Sequence, residues 1–329
     1  MAPALHPLPW RDPLDVFCAL RDSPFAMLMN RSGPSGRWTG LFAHPRESQL
    51  AKGASEALAI SREWLAELAP ARATCGAPFR TGVSGILGYD AGEDGGPVLT
   101  GVGLYDLVLV FDHQERRAHL LESPGADPLR RSALCGLLGG PPPPPPAAGG
   151  GRVTDVEPRE AFGRKVEAVR ARIACGEFYQ ANISRRFAGR LGDGDHPFDL
   201  FRRLASASPA PFSAYVRLPG CAIVSNSPER LVQVRAVGDT RIALTSPIKG
   251  TSPRGATPGE DERNARALLA SEKDRAENLM IVDLMRNDLA VACRPGSVRT
   301  PALFELSTLP NVHHLVSHVR GVIRPERSA

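Results

Sequence analysis

Acidic side chains stand beside and within an apolar stretch late in the chain, and they are the first indication of chemistry. Residues 279–285 are apolar at all but one position, with Glu277 just before them and Asp283 among them. A helix that is apolar on nearly every side is typical of a protein core. A buried carboxylate is costly unless it is paired or bound to a metal ion. The stretch therefore indicates either a core helix whose acids pair with Arg275 and Arg286, or a carboxylate ligand in a polar pocket.

Length, composition and charge limit the class of protein. The chain has 329 residues, 42% hydrophobic and 23% charged, which predicts a globular protein with a sizeable core. The net charge of +5 comes from dispersed arginines without a basic run, so we expect no nucleic-acid partner. The six cysteines form no CxxC motif, which disfavours zinc and disulfides and fits a reducing, cytoplasmic location. No apolar stretch approaches the length of about 18 residues that a spanning helix needs, so no membrane association is expected.

A run of prolines divides the chain. Residues 141–146 are six prolines, and two alanines and three glycines follow them. Proline runs form extended polyproline II structure and glycine runs are flexible, so residues 141–151 are predicted to be a linker. The linker separates an N-terminal region, 1–140, from a second region, 152–329.

Hydrophobic periodicity predicts the main elements of the second region. Apolar residues recur at helical spacing over 158–175. Further helices are predicted at 260–270 and 271–289. Alternation of polar and apolar residues predicts strands at 176–187 and 212–218.

Six segments, in the same order along the chain, resemble the chorismate-utilising enzymes. This family includes the anthranilate synthase large subunit, aminodeoxychorismate synthase component I, and the isochorismate and salicylate synthases. The resemblance is strong over about 155–325 and looser over 1–125. The segments are GEFYQANISRRF (176–187), PFSAYVRL (211–218), SNSPERL (225–231), SPIKGT (246–251), KDRAENLMIVDLMRNDL (273–289) and HHLVS (313–317).

The resemblance implies a fold and a set of site residues. It implies an α+β fold of two packed β-sheets flanked by helices, with the active site in a cleft between the sheets. It also implies a Mg²⁺ ion that binds a carboxylate of chorismate, with Glu277 at a metal-ligand position. Glu229 falls at the position of the general acid, Lys249 at that of a nucleophile, and Thr251 and His314 where family members contact the substrate.

Lys249 distinguishes between branches of the family. Anthranilate synthases usually have alanine at this position, and aminodeoxychorismate synthases usually have lysine. The resemblance therefore implies component I of an aminodeoxychorismate synthase. Such a protein converts chorismate and ammonia, supplied by a glutamine amidotransferase subunit, to 4-amino-4-deoxychorismate for p-aminobenzoate and folate synthesis. The alternatives are anthranilate synthase component I, an isochorismate synthase that uses the lysine as a base, and an inactive fragment that only binds a partner.

The sequence departs from the family pattern in two places. The family continues well beyond the HHLVS segment, with further substrate-binding loops and a second metal-ligating glutamate. The resemblance thus implies that the last part of the fold, and part of the active site, is missing from this chain. Asn30 stands where many family members carry a serine in an N-terminal tryptophan-binding pocket. Whether tryptophan binds is therefore left open.

Overall fold

The computed structural model describes residues 4–30, 36–68, 76–89, 99–146, 149 and 151–327. Helices and antiparallel β-sheets alternate along this part of the chain, which confirms the predicted α+β class. The described helices are α1 Pro13–Phe17, α2 Ala54–Glu67, α3 Pro128–Gly136, α4 Arg159–Ala174, α5 Pro197–Ala207, α6 Pro258–Ala270 and α7 Glu272–Ala292.

The described strands are short in the first half of the chain and longest at its end. They are β1 Ala4–Leu8, β2 Met27–Asn30, β3 Trp38–Phe42, β4 Glu47–Leu50, β5 Gly82–Ile86, β6 Gly101–Tyr105, β7 Leu107–Asp112, β8 Arg117–Glu122, β9 Arg152–Asp155, β10 Phe187–Arg190, β11 Phe212–Leu218, β12 Cys221–Ser227, β13 Gln233–Val237, β14 Thr240–Thr245, β15 Ile248–Pro253, β16 Arg299–Thr308 and β17 Val312–Val322.

The chain forms two compact units, one of them discontinuous in sequence. The larger unit contains Met1–Pro143 and Phe201–Ala329, and the smaller contains Pro144–Leu200. The predicted boundaries of the linker at 141 and 151 stay a prediction.

The largest sheet in the larger unit has seven strands in the order β1-β8-β7-β3-β2-β11-β12. Strand β2 precedes the proline run and pairs with β11 after it, with Leu28 opposite Tyr215. Strand β7 is buried along its whole length, because both faces of this central strand are covered. Val108 and Val110 belong to a core cluster that also contains Tyr105.

A small sheet in the same unit has the order β4-β6-β5. Helix α2 packs on it and buries Trp64 and Leu68 against Val102 and Leu104. This sheet and helix contribute none of the predicted site residues.

The third sheet of the larger unit is built around β17. Strands β14 and β15 pair with different halves of β17, β16 pairs with its other edge, and β13 lies beyond β14. The odd-numbered residues of β17 are buried, with Leu315, Ser317 and Val319 at 0% exposure. Helices α6 and α7 pack against this sheet. The sheet therefore carries Lys249, Thr251 and His314, and α7, which packs on it, carries Glu277, whereas Glu229 lies in the turn after β12.

The smaller unit contains helix α4 and a two-stranded antiparallel pair, β9 with β10. The predicted helix over 158–175 is confirmed by α4. The predicted strand over 176–187 is wrong, because residues 177–186 have no strand partner among the described residues and pairing begins only at Phe187. Gly176, with φ of +76°, ends the helix in a left-handed conformation and starts this irregular segment.

Helix α7 confirms the predicted position of the acidic helix but not its burial. Asn278 and Val282 are buried, whereas Leu279 is 44% and Leu284 50% exposed. Apolar residues lie on nearly every side of this helix, but only one side of the helix packs on the sheet. Among the helices described, none combines the length and apolar character that a bilayer crossing requires.

Candidate active site

The segment that carries Lys249 is a bulge between β15 and β17. Ile248 pairs with Val316 and Thr251 with His314, and the register shifts between these two pairs. Gly250 lies in the bulge with φ of +89°, a conformation that disfavours any side chain. A Cβ atom at this position would lie 2.9 Å from Cβ of Asp274. Glycine therefore allows α7 to approach the residue next to Lys249.

Lys249 itself lies on β15 and is partly buried. Its ammonium group makes no ion pair or hydrogen bond with the residues that the structure describes. A lysine in this position has a side chain that is available to a substrate, and its backbone is fixed by the bulge.

Glu229 is held against the same segment. It follows β12 in a turn in which Ser227 Oγ donates to the Glu229 carbonyl at 2.9 Å. The backbone N–H of Ile248 donates to Oε1 of Glu229 at 3.0 Å. Glu229 is exposed, so its carboxyl group can exchange protons with bound substrate or solvent. The structure thus brings the predicted acid to the residue immediately before the predicted nucleophile.

His314 and Thr251 form a pair across the β15–β17 ladder. Thr251 Oγ1 lies 2.9 Å from Nδ1 of His314, which is only 8% exposed. Burial lowers the pKa of His314, and the charge of Glu229 and a backbone hydrogen bond with Gly250 partly offset this effect. The imidazole is consequently neutral at pH 7 and suited to hydrogen bonding.

Glu277 is placed by the contact of α7 with the sheet. Ser271 caps the helix by accepting from the Asp274 N–H at 3.3 Å. Asp274 contacts Gly250, and Nδ2 of Asn278 donates to the Leu315 carbonyl at 3.1 Å. Glu277 lies on the same helical turn, beside this contact face, and is partly buried.

The carboxylate of Glu277 is of the kind that Mg²⁺ prefers. Within the described ranges, no group of three or more His, Cys, Asp or Glu side chains could enclose an ion. Proteins usually bind Mg²⁺ through one or two carboxylates, with substrate oxygens and water completing the octahedron. A single carboxylate of this kind fits a Mg²⁺ ion that is shared between the protein and an anionic substrate.

Two polar clusters next to these residues were not predicted. Ser246 Oγ lies 2.9 Å from Nδ1 of His318, whose Nε2 is 3.3 Å from Glu305. Ser317 Oγ donates to Oδ1 of Asn278 at 2.6 Å. The alternation of side chains along a strand was the signal that could have found these residues. Over 313–318 it places His314 and His318 on one face of the strand and Ser317 on the other.

Asn30 is buried in the seven-stranded sheet. Its Oδ1 accepts from Thr39 Oγ1 at 2.8 Å, and its carbonyl accepts from Ser213 Oγ at 3.0 Å. Asn30 lines a cavity of about 290 Å³ together with Phe79 and Phe212. The sequence left open whether tryptophan binds at this position. In the structure, the side-chain amide oxygen of Asn30 accepts a hydrogen bond from Thr39.

The fold and these residues define a family. The model of the chorismate binding enzymes matches residues 26–329, so the chain belongs to that family. It is 36% identical to aminodeoxychorismate synthase component 1 of Klebsiella aerogenes over 97% of this chain and 76% of that protein. It is 38% identical to the Escherichia coli K12 protein of the same name over 76% of this chain, but spans only 55% of that relative.

The chain is also similar to a relative with a different name, and its fold is similar to two solved structures. The chain is 31% identical to anthranilate synthase component 1 of Geobacillus stearothermophilus over 95% of its length and 71% of the relative. Its fold is similar to that of anthranilate synthase component I from Streptococcus pneumoniae TIGR4, with a TM-score of 0.72, 24% identity, and 89% and 71% of the two chains covered. The menaquinone-specific isochorismate synthase of Escherichia coli has a TM-score of 0.65 at 14% identity, with 98% and 72% covered. These similarities confirm the predicted fold.

Proposed function

We propose that this protein is the chorismate-binding component of an aminodeoxychorismate synthase. The observation that carries the proposal is Lys249 on the β15 bulge, directly after the residue whose N–H holds Glu229. A nucleophile on a fixed segment, with a proton donor hydrogen-bonded to the residue before it, suits a displacement reaction. Relatives named aminodeoxychorismate synthase component 1, at 36% and 38% identity, support the same function.

The reaction is two displacements on the chorismate ring. The neutral amine of Lys249 adds at C2, the ring double bonds shift, and the C4–O bond breaks. Glu229 gives a proton to the departing hydroxide, which leaves as water. Ammonia then forms a bond to C4, the double bonds shift back, and the C2–N bond breaks to return the lysine. Two displacements retain the configuration at C4.

His314, Thr251 and Glu277 bind rather than react in this proposal. The neutral imidazole and the hydroxyl group lie 2.9 Å apart and present polar atoms to the substrate. Glu277 would hold Mg²⁺, which supplies positive charge beside a substrate carboxylate.

We further propose a glutamine amidotransferase partner as the source of ammonia. The relatives' name, component 1, implies a companion component. Addition of glutamine with such a partner should support the reaction, and free ammonia should replace both.

Anthranilate synthase and isochorismate synthase activities are the competing proposals. An anthranilate synthase is also similar to this chain. Anthranilate synthases, however, usually have alanine at the position of Lys249. In an isochorismate synthase the lysine would activate water. A fourth alternative is a chain that binds a partner without catalysis. Chromatographic product analysis with chorismate, Mg²⁺ and ammonia distinguishes all four, because each predicts a different product or none.

Covalent capture tests the role of Lys249 directly. With chorismate present and ammonia withheld, we expect an adduct on the peptide that contains residues 246–251, detected by mass spectrometry of a digest. Lys249→Ala should abolish the adduct, and Lys273→Ala, the matched control, should not. An adduct on Lys273, or none at all, would contradict covalent catalysis by Lys249 and favour the isochorismate reaction.

A further inference from the structure

Three hydrogen bonds, two of them buried and one partly buried, join β16, β17 and α7. Ser317 Oγ donates to Asn278 Oδ1 at 2.6 Å and accepts from the Phe304 N–H at 3.0 Å. Asn278 Nδ2 donates to the Leu315 carbonyl at 3.1 Å. Asn278 and Ser317 are both 0% exposed. Because water cannot replace a lost partner at such a position, each group depends on the others.

The strand end of this network is strained. Phe304 has φ of +59°, which is unusual for a bulky residue, and the β16 register is irregular between Ala302 and Glu305. Such a conformation persists only where the surroundings impose it. Here the Phe304 N–H is bound by Ser317, and the Arg275 guanidinium lies 4.8 Å from the centre of its ring. Helix α7 therefore contacts this bulge directly through Arg275 and is connected to it through Asn278 and Ser317.

The network connects the neighbours of two site residues. Asn278 follows Glu277 on α7, and Leu315 follows His314 on β17. The Asn278–Leu315 hydrogen bond consequently fixes the height and rotation of the helix relative to the strand. Apolar contacts tolerate small shifts of a helix along a strand. A buried polar network in which every group is hydrogen-bonded specifies one position of the helix.

We propose that Asn278 and Ser317 are positioning residues that set Glu277 relative to His314 for the joint binding of Mg²⁺ and an anionic substrate. The inference rests on the proposed function, since it takes Glu277 as the metal ligand. Asn278 and Ser317 act through the position of α7, and neither contacts the substrate.

Ser317→Ala is the test, with Mg²⁺ affinity measured by calorimetric titration of the protein in the presence of chorismate. We expect the affinity to fall about tenfold, the scale typical of residues that orient a metal ligand. Ser123→Ala is the matched control: Ser123 is 1% exposed and its Oγ donates to Thr81 at 2.7 Å in another part of the same unit. It should lower the thermal midpoint comparably and leave Mg²⁺ affinity unchanged.

Ser317→Thr retains the hydroxyl group and should restore most of the affinity. Wild-type affinity in Ser317→Ala, or an equal loss in Ser123→Ala, would overturn the positioning role while leaving the proposed function intact. Failure of the unmodified protein to bind Mg²⁺ would overturn the metal part of the proposed function and this inference with it.

Discussion

At the scale of residues, the candidate site combines side chains that belong to motifs with a buried polar pair, Asn278 and Ser317, that joins α7 to β17. Glu229 and Thr251 lie beside Ile248 and His314 in the structure, although their roles stay predictions. These residues belong to recognisable motifs. The supporting pair of Asn278 and Ser317 is separated by 39 positions, and neither residue type indicates chemistry by itself. No local pattern identifies a hydrogen bond between two elements that meet only after folding.

Glu277 gives the prediction that belongs to this scale. Glu277→Gln keeps the size of the side chain but removes the charge that binds Mg²⁺, so the Mg²⁺ concentration for half-maximal turnover should rise at least tenfold. Turnover measured across a Mg²⁺ titration checks this.

Asp283→Asn is the matched control on the same helix. Asp283 is exposed and pairs with Arg286 at 3.0 Å. Its variant should titrate like the unmodified protein. A wild-type Mg²⁺ titration for Glu277→Gln would remove Glu277 from the site.

At the scale of elements, periodicity located helices but not their environment. Helix α7 lies within a few residues of its predicted bounds, yet Leu279 and Leu284 are largely exposed. The number of apolar residues in a helix indicates how much of its surface could be buried. The elements that pack against the helix decide which part of that surface is buried. The wrong strand over 176–187 has a similar cause, because alternation describes a strand only where a neighbouring strand supplies hydrogen bonds.

The attachment of α6 to β17 gives a prediction with a defined pH dependence. Arg254 binds Asp261 through two hydrogen bonds of 2.7 Å, and Asp261 also lies 2.9 Å from His313 Nε2. The hydrogen bond from Arg254, followed by those from Gly255 and His313, holds the pKa of Asp261 well below its usual value. A lowered carboxyl pKa stabilises the folded state above the unfolded pKa, and this contribution is lost as pH falls.

Asp261→Asn should therefore lower the thermal midpoint by several degrees at pH 7. The difference from the unmodified protein should begin to shrink as the pH falls below the ordinary aspartate pKa of about 4, and it should continue to shrink below pH 3 as the wild-type carboxyl group takes up a proton. Thermal melts of both proteins at several pH values measure it. Glu262→Gln, on the same helix with an exposed partner in Arg266, should change little. A difference that does not depend on pH would contradict the charge-based explanation.

At the scale of the whole molecule, the largest sheet contains strands from both sides of the proline run. Composition indicated a linker and therefore two regions, but it contains no information about the pairing of strands that lie nearly two hundred residues apart. Strand β3 pairs with one edge of β2, and β11 pairs with the other edge. Strands from both sides of the proline run thus belong to one sheet of the larger unit.

Cleavage of the linker tests this organisation. A specific protease site placed at residues 147–150 would separate β2 from β11 in sequence without removing any of their pairing. Met27, Leu28 and Tyr215 are 0% exposed where these strands meet. Full burial of one such side chain contributes roughly 1.5–3 kcal/mol, so the two cleaved pieces should remain associated. They should co-elute with the uncleaved protein in native size-exclusion chromatography and separate only in denaturant.

The N-terminal piece expressed alone should aggregate, because the edge of β2 would be exposed. Separate elution of two folded pieces in native buffer would show that the regions before and after the linker fold independently.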